Sequence, residues 1–190
     1  MVIDTARLRL RPWRDGDREA FAAMLADPEV MADLGGPIDR TVADAKLDRY
    51  AATFARTGLC RWAVEDRDGG FLGYAGIMPS AAGHLLGAHF DVGWRLARAA
   101  WGRGYATEAA AAALQDGFER CGLEEVLAYT APDNTRSQAV MVRLSLRRDP
   151  ARDFALPRPD LPDWHGLVWV ADAGKADAGS DHAGSDHAGR

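Results

Sequence analysis

The sequence predicts a single α/β domain, and three observations carry that expectation. Segments with helical apolar spacing alternate with segments of period-2 spacing. A hairpin pattern, CRWAV then DRDGG then FLGYAGIM, sits in the first half of the chain. No internal repeat or second core divides the 190 residues, a length that suits one domain.

The elements follow in order. Leu8 and Leu10 alternate with Arg7, Arg9 and Arg11, so residues 6–12 read as a half-exposed strand. Asp15 is placed to cap a helix running to about Ala26, with Phe21 and Leu25 at i, i+4. Asp27-Pro28 reads as a cap and first-turn proline of a short helix through Asp33, which Gly35-Gly36-Pro37 stops. Thr41 with Asp44 resembles a capping box for a helix that Gly58 ends. After the hairpin and the loop SAAGHLLGA, HFDVGWRLA is a strand whose internal glycine marks a bulge or a close approach. YATEAAAAALQDGFERCG is a helix closed by Gly122, EEVLAYTA a strand and NTRSQAVMVRLSL a helix. RRDPARDFALPRPDLPDWHG reads as a proline-rich loop before a last strand, GLVWVA. The order of the main elements is β-α-α-β-β-β-α-β-α-β.

Residues 1–172 thus make the domain. Residues 173–190 carry the tandem repeat AGSDHAGSDHAG, which has nothing to bury and is expected to be disordered, His182 and His187 included. The start, MVIDTARLRLRPW, has charges inside its apolar pattern and no signal-peptide core, so a cytoplasmic location is expected. No apolar run approaches the roughly 20 residues that span a bilayer. The net charge of −5 offers no broad basic surface for nucleic acid. Cys60 and Cys121 form no CxxC pair and are expected to be free thiols. His84 and His89 lack metal-ligand spacing, and no metal site is expected.

The informative stretch is WGRGYATEAA, Trp101–Ala110. A helix N-terminus leaves four amides unpaired and carries about half a positive charge. Glycine just before it lets those amides converge on an anion. A Walker loop is excluded because the GK pair is missing, and the dinucleotide fingerprint because its third glycine falls on Thr107.

DVGWRLARAAWGRGYATEAA resembles the acyl-CoA-binding core of the GNAT superfamily of N-acetyltransferases. More narrowly it resembles the ribosomal-protein N-terminal acetyltransferase branch (Rim-type), where WG[KRQ]GYATEA is common. RLRLRPWRDGD resembles that family's opening strand, and TAPDNTRSQAVMVRLSL its later strand, turn and helix, with Ser145 in place of the usual glycine. The likeness covers about residues 4–171. It implies a mixed, mostly antiparallel sheet, splayed in the middle and flanked by helices on both faces.

It also implies a function: transfer of an acetyl group from acetyl-CoA to a primary amine of a protein N-terminus or a small molecule. A catalytically weak acyl-CoA sensor of the same fold is the alternative. The diphosphate would lie on the amides of Gly102, Arg103, Gly104, Tyr105 and Ala106, with the Thr107 hydroxyl and with Arg98 and Arg103 adding charge. The oxyanion donor is expected at the amide of Leu96 or Ala97. Asp91 shares a strand face with His89 and Gly93, and the resemblance makes it the base candidate, acting through a water or by orienting the amine. A solvated carboxylate or an Arg95 ion pair is the other reading of Asp91. Asn134 is expected on the CoA arm and as a helix cap, and Ser137 is the one matched hydroxyl near the sulfur. Trp13, Phe21 and Leu34 to Gly36 fall where the family's acceptor wall lies. Monomer and homodimer are equally open.

Overall fold

The computed structural model describes residues 1–158 and 161–174; most of the repeat tail lies outside them. The elements are β1 (Ile3–Asp4), β2 (Leu8–Arg11), α1 (Arg18–Leu25), α2 (Pro28–Met31), α3 (Arg40–Thr57), β3 (Arg61–Asp66), β4 (Phe71–Ser80) and β5 (His89–Leu96). They continue with α4 (Tyr105–Glu119), β6 (Glu125–Thr130), α5 (Thr135–Arg143), β7 (Arg147–Arg148), β8 (Phe154–Arg158) and β9 (Leu161–Asp172). One sheet has the order β1-β2-β3-β4-β5-β6-β9-β7, with β8 paired to β9. Among the described residues only β5 and β6 pair in parallel, so the sheet is mixed and mostly antiparallel.

Alternation along the strands feeds two cores. Tyr74 turns to the face covered by α1, α2 and α3, where Phe21, Leu25, Leu47 and Tyr50 pack with it. Ala75 turns to the other face with Leu8, Leu10, Trp62 and Val64, under Ala109 and Ala113 of α4. The alanine run gives α4 high propensity and a thin buried stripe, so the helix lies close on the sheet. Gly117 belongs to that contact, because a Cβ there would stand 2.4 Å from Ile77 Cδ1. α5 adds Met141 and Val140 beside Val92 and Val126.

Several local readings are corrected. Asp15 does not cap α1. It opens a 3-10 turn, Asp15–Asp17, and pairs with Arg18. Asp17 is the buried carboxylate there, bound by Arg11 at 2.7 and 2.8 Å and by the Arg14 amide at 2.8 Å. Glu65 takes the third Arg11 contact at 2.5 Å. Burial raises the Asp17 carboxyl, but Arg11 and the Arg14 amide outweigh it and hold it below its ordinary value. α3 is capped by Asp39, whose Oδ1 accepts from the Val42 amide, not by the Thr41–Asp44 pair. The expected loop after α5 folds as β7 and the β8–β9 hairpin. β8 pairs with β9 alone, and an edge strand tolerates Pro157. Asp27 caps α2, and Gly58 ends α3 with φ 71°, as the sequence suggests. Ser145 itself takes the left-handed conformation that favours glycine, with φ 56°.

Candidate active site

β5 organises the site. It pairs with β4 from His89 to Leu96, opposite Ser80 to Gly73. On its other side it meets β6 at one register position, Asp91 opposite Leu127. Beyond that point β5 stays with β4 while β6 stays with β9 out to Thr130, and the strands part. The Ala97 amide donates to Leu72 O at 2.8 Å. Alternation then turns the Leu96 amide to the opposite edge, into the gap. Ala97 is thereby corrected as an oxyanion donor, since its N–H is spent, whereas the Leu96 N–H faces the gap. The Leu96 carbonyl, on the same edge, accepts from Trp101 Nε1 at 2.9 Å.

The chain then reaches the two glycines. Gly102 and Gly104 have φ of 72° and 77°. That left-handed region costs an L-residue about 1–2 kcal/mol. A Cβ on Gly102 would meet nothing within 4 Å and one on Gly104 only Arg7 Nη2 at 3.4 Å, so conformation, not crowding, calls for glycine. Gly104 is the N-cap of α4, and no side chain caps that end. The first closed turn is the Glu108 amide on Gly104 O at 3.1 Å, which leaves Tyr105, Ala106 and Thr107 in the open turn. Arg7 braces the loop from outside: it donates to Arg103 O at 2.8 Å, pairs with Glu108 and lies over the Tyr105 ring. Glu108 also accepts from Thr5 Oγ1 at 2.6 Å, which ties the turn between β1 and β2 to α4. An uncapped first turn, two left-handed glycines and open space above Gly102 fit a phosphate-bearing cofactor. Arg103 sits over Tyr105 at 5.2 Å, inside the loop. Arg98 is held by Glu29 at 2.5 Å on the surface, so the fold does not deliver it to the loop.

On the α3 side of the gap lies a cavity of about 500 Å³. Its floor is Tyr50 and Tyr74, with ring centroids 5.6 Å apart, and β5 supplies Asp91, Gly93 and Arg95. Asp91 is buried, and its ion-pair partner is Arg61 of β3, not Arg95. Arg61 lies against Gly93, where a Cβ would stand 2.9 Å from Nη2, so the strand glycine makes room for a guanidinium. Asp91 Oδ1 accepts from Ser80 Oγ at 3.2 Å. Arg95 pairs instead with Asp33 at 2.8 Å. Leu34 lines the cavity, whereas Phe21 is fully buried beneath it and forms no wall. Trp13 packs on Phe21 at 4.8 Å and donates to Arg61 O at 2.6 Å.

Ser137 also faces the cavity, from the first turn of α5. Asn134 caps that helix: its Oδ1 accepts from the Ser137 amide at 3.0 Å, and its Nδ2 donates to Asp33 Oδ2 at 2.9 Å. Both ends of that amide are thus occupied by the protein. Tyr129 was not singled out from sequence. It lies on β6 beside the gap and lines the same cavity. Burial, then the nearby Asp91 charge, push its phenol up to about 12, so it remains protonated at neutral pH. The available signal was the strand EVLAYT running parallel to β5, which brings its C-terminal end beside Asp91. Cys60 is buried and Cys121 half-buried, and both are free.

An open sheet parted next to an uncapped, glycine-led helix is the frame of an acyl-CoA-handling transferase. A family model described as "Acetyltransferase (GNAT) domain" matches residues 7–147, and the chain belongs to that family. YkkB of Bacillus subtilis (strain 168) is 32% identical over 144 residues, covering 75% of this chain and 83% of that protein. The crystal structure of an acetyltransferase from Agrobacterium tumefaciens str. C58 superposes with a TM-score of 0.75 at 29% identity, over 90% of this chain and 94% of that one. Mycobacterium smegmatis RimJ in complex with CoA-disulfide shares the fold at a TM-score of 0.67 and 24% identity, over 88% and 82%. The protein is an acetyltransferase, and acetyltransferases of this fold use acetyl-CoA.

Proposed function

We propose that the protein transfers the acetyl group of acetyl-CoA to a primary amine, as a member of the Rim-type branch. The single observation that carries this is one cavity lined together by α3, by β5 and β6 where the two strands part, and by Ser137 of α5. A thioester held over Leu96 and an amine held in the cavity would meet there. Holding both reactants supplies most of the rate.

In this reading the amides of Gly102, Arg103, Gly104, Tyr105 and Ala106, with the Thr107 hydroxyl, grip the diphosphate. The ammonium first gives one proton to solvent water; the neutral nitrogen then attacks the thioester carbonyl, the C–N bond forms, the C–S bond breaks, and the second nitrogen proton ends on the departing sulfur. The Leu96 amide meets the oxyanion. Asp91, fixed by Arg61, orients the incoming ammonium and favours its approach rather than acting as a free base. Tyr129 stays protonated and Ser137 carries a hydroxyl, so these two groups serve the departing thiolate. Asn134 acts by setting the first turn of α5.

An acceptor screen following free-thiol release tests the proposal, with N-terminal peptides beside polyamines and amino sugars. Asp91→Asn is expected to lower kcat by roughly tenfold to a hundredfold and to leave acetyl-CoA affinity unchanged. An unchanged kcat would remove Asp91 from the reaction.

A further inference from the structure

α3 sets a second group of charges over the cavity. Lys46, Arg49, Thr53 and Arg56 recur at i, i+3, i+7 and i+10, one face of a helix, and all four line the cavity. The acids of α3 point elsewhere: Asp44 and Asp48 are taken by Arg18, and Asp44 also by Arg40. Among the described residues no carboxylate pairs with Lys46, Arg49 or Arg56, while Arg61 and Arg95 are neutralised by Asp91 and Asp33. The cavity wall therefore holds five cations against two carboxylates, in a chain whose net charge is −5.

The two floor phenols shift in opposite directions: burial, then Tyr74, pushes Tyr50 up. Burial alone would raise the Tyr74 phenol, yet Lys46, then Arg95 and Arg61, outweigh it and lower it. From Lys46 to Arg56 the stripe runs about 15 Å at the helical rise. That is longer than one amino acid and matches four to five residues of extended chain. The opposite wall carries Asp91, the group suited to an ammonium.

We infer that the acceptor is an anionic amine, with its amino group at Asp91 and its carboxylates along Lys46, Arg49 and Arg56. The inference rests on the acetyl-transfer reading above. The length of the stripe selects an acidic peptide N-terminus over a small amino dicarboxylate. Thr53 is no part of the anion contact, because its hydroxyl donates to Arg49 O at 2.8 Å.

The test compares kcat/KM for a peptide of serine followed by four acidic residues with an uncharged and a basic peptide of equal length, and with free glutamate. The acidic peptide is expected to lead the basic one by at least about tenfold at low salt, with a lead that shrinks as salt rises. In Lys46→Glu/Arg49→Glu the ratio is expected to collapse or invert, with acetyl-CoA affinity unchanged. A fall in acetyl-CoA affinity would assign these cations to the cofactor and overturn the inference. Preference for basic or uncharged peptide would overturn it as well, and leave acetyl transfer standing. Preference for glutamate over the acidic peptide would overturn the peptide assignment. Calorimetry with the N-acetylated acidic peptide, the product, reads the stripe without turnover. Salt-sensitive binding that the double substitution abolishes supports the inference even if no acceptor turns over, an outcome that would count against the acetyl-transfer reading alone. No binding of that product overturns it.

Discussion

The N-termini of α5 and α4 lie near each other, with Arg136 over the Trp101 ring at 4.2 Å, and are built in opposite ways. At α5 a side chain closes the end: Asn134 accepts from the Ser137 amide and locks onto Asp33. At α4 the N-cap is a left-handed glycine, and no side chain takes its place. The protein completes one helix end itself and leaves the other as a socket of unpaired amides. α2 and α3, capped by Asp27 and Asp39, follow the α5 pattern. α1 also lacks a side-chain cap, but it continues a 3-10 turn, whereas α4 follows a glycine loop; in the proposed reading that end is kept for an anion from outside.

The sharpest way to break the comparison is Gly104→Val. A β-branched side chain cannot hold φ 77° without strain. Losing one or two charge-assisted hydrogen bonds at about 1.5–3 kcal/mol each weakens acetyl-CoA about a hundredfold, as calorimetry would read. Circular dichroism should show the fold intact. Arg7→Ala is expected to do less. It removes the brace on Arg103 O, an ordinary hydrogen bond of about 1 kcal/mol, for a loss of affinity of about fivefold. Asn134→Ala reverses the pattern. It should cost about 1 kcal/mol of stability in denaturant unfolding, the usual loss of a cap, with a smaller effect on acetyl-CoA than Gly104→Val. The far end of α5 gives the smallest effect: Ser145→Gly relieves a positive φ and should stabilise by about 0.5–1 kcal/mol, seen as a higher unfolding midpoint.

The same contrast explains what could be read in the residues. The open end of α4 was legible because glycine spacing and helix propensity are local. So were the Asp27-Pro28 cap and the Gly58 stop. The α1 and α3 caps were misplaced for different reasons. No side chain caps α1: the Asp17 carboxylate is taken by Arg11, which is itself held by Glu65 of β3, a contact across the fold. Asp39 lies two residues before Thr41, and its Oδ1 is the oxygen that reaches the Val42 amide. The β8–β9 hairpin was hidden by prolines that only an edge position excuses.

Within the site, alternation alone groups Asp91 with Gly93, and both line the cavity. The partner of Asp91 was not legible, because Arg61 comes from β3, 30 residues earlier, while Arg95 stands nearer in sequence. The choice between Leu96 and Ala97 needed the β4 register, which fixes the Ala97 amide to Leu72. Tyr129 and the cations of α3 gain meaning only when strands and helix close over one cavity. Local chemistry survives in a sequence, and pairing across elements does not.

Backbone amide shifts recorded while CoA is titrated into isotope-labelled protein test the socket most directly. The account predicts that Gly102, Gly104, Tyr105 and Ala106 move together, along a single saturable curve, while Val42 at the Asp39-capped end of α3 stays still. CoA that binds without disturbing those four amides, or that fails to bind at millimolar concentration, would contradict it.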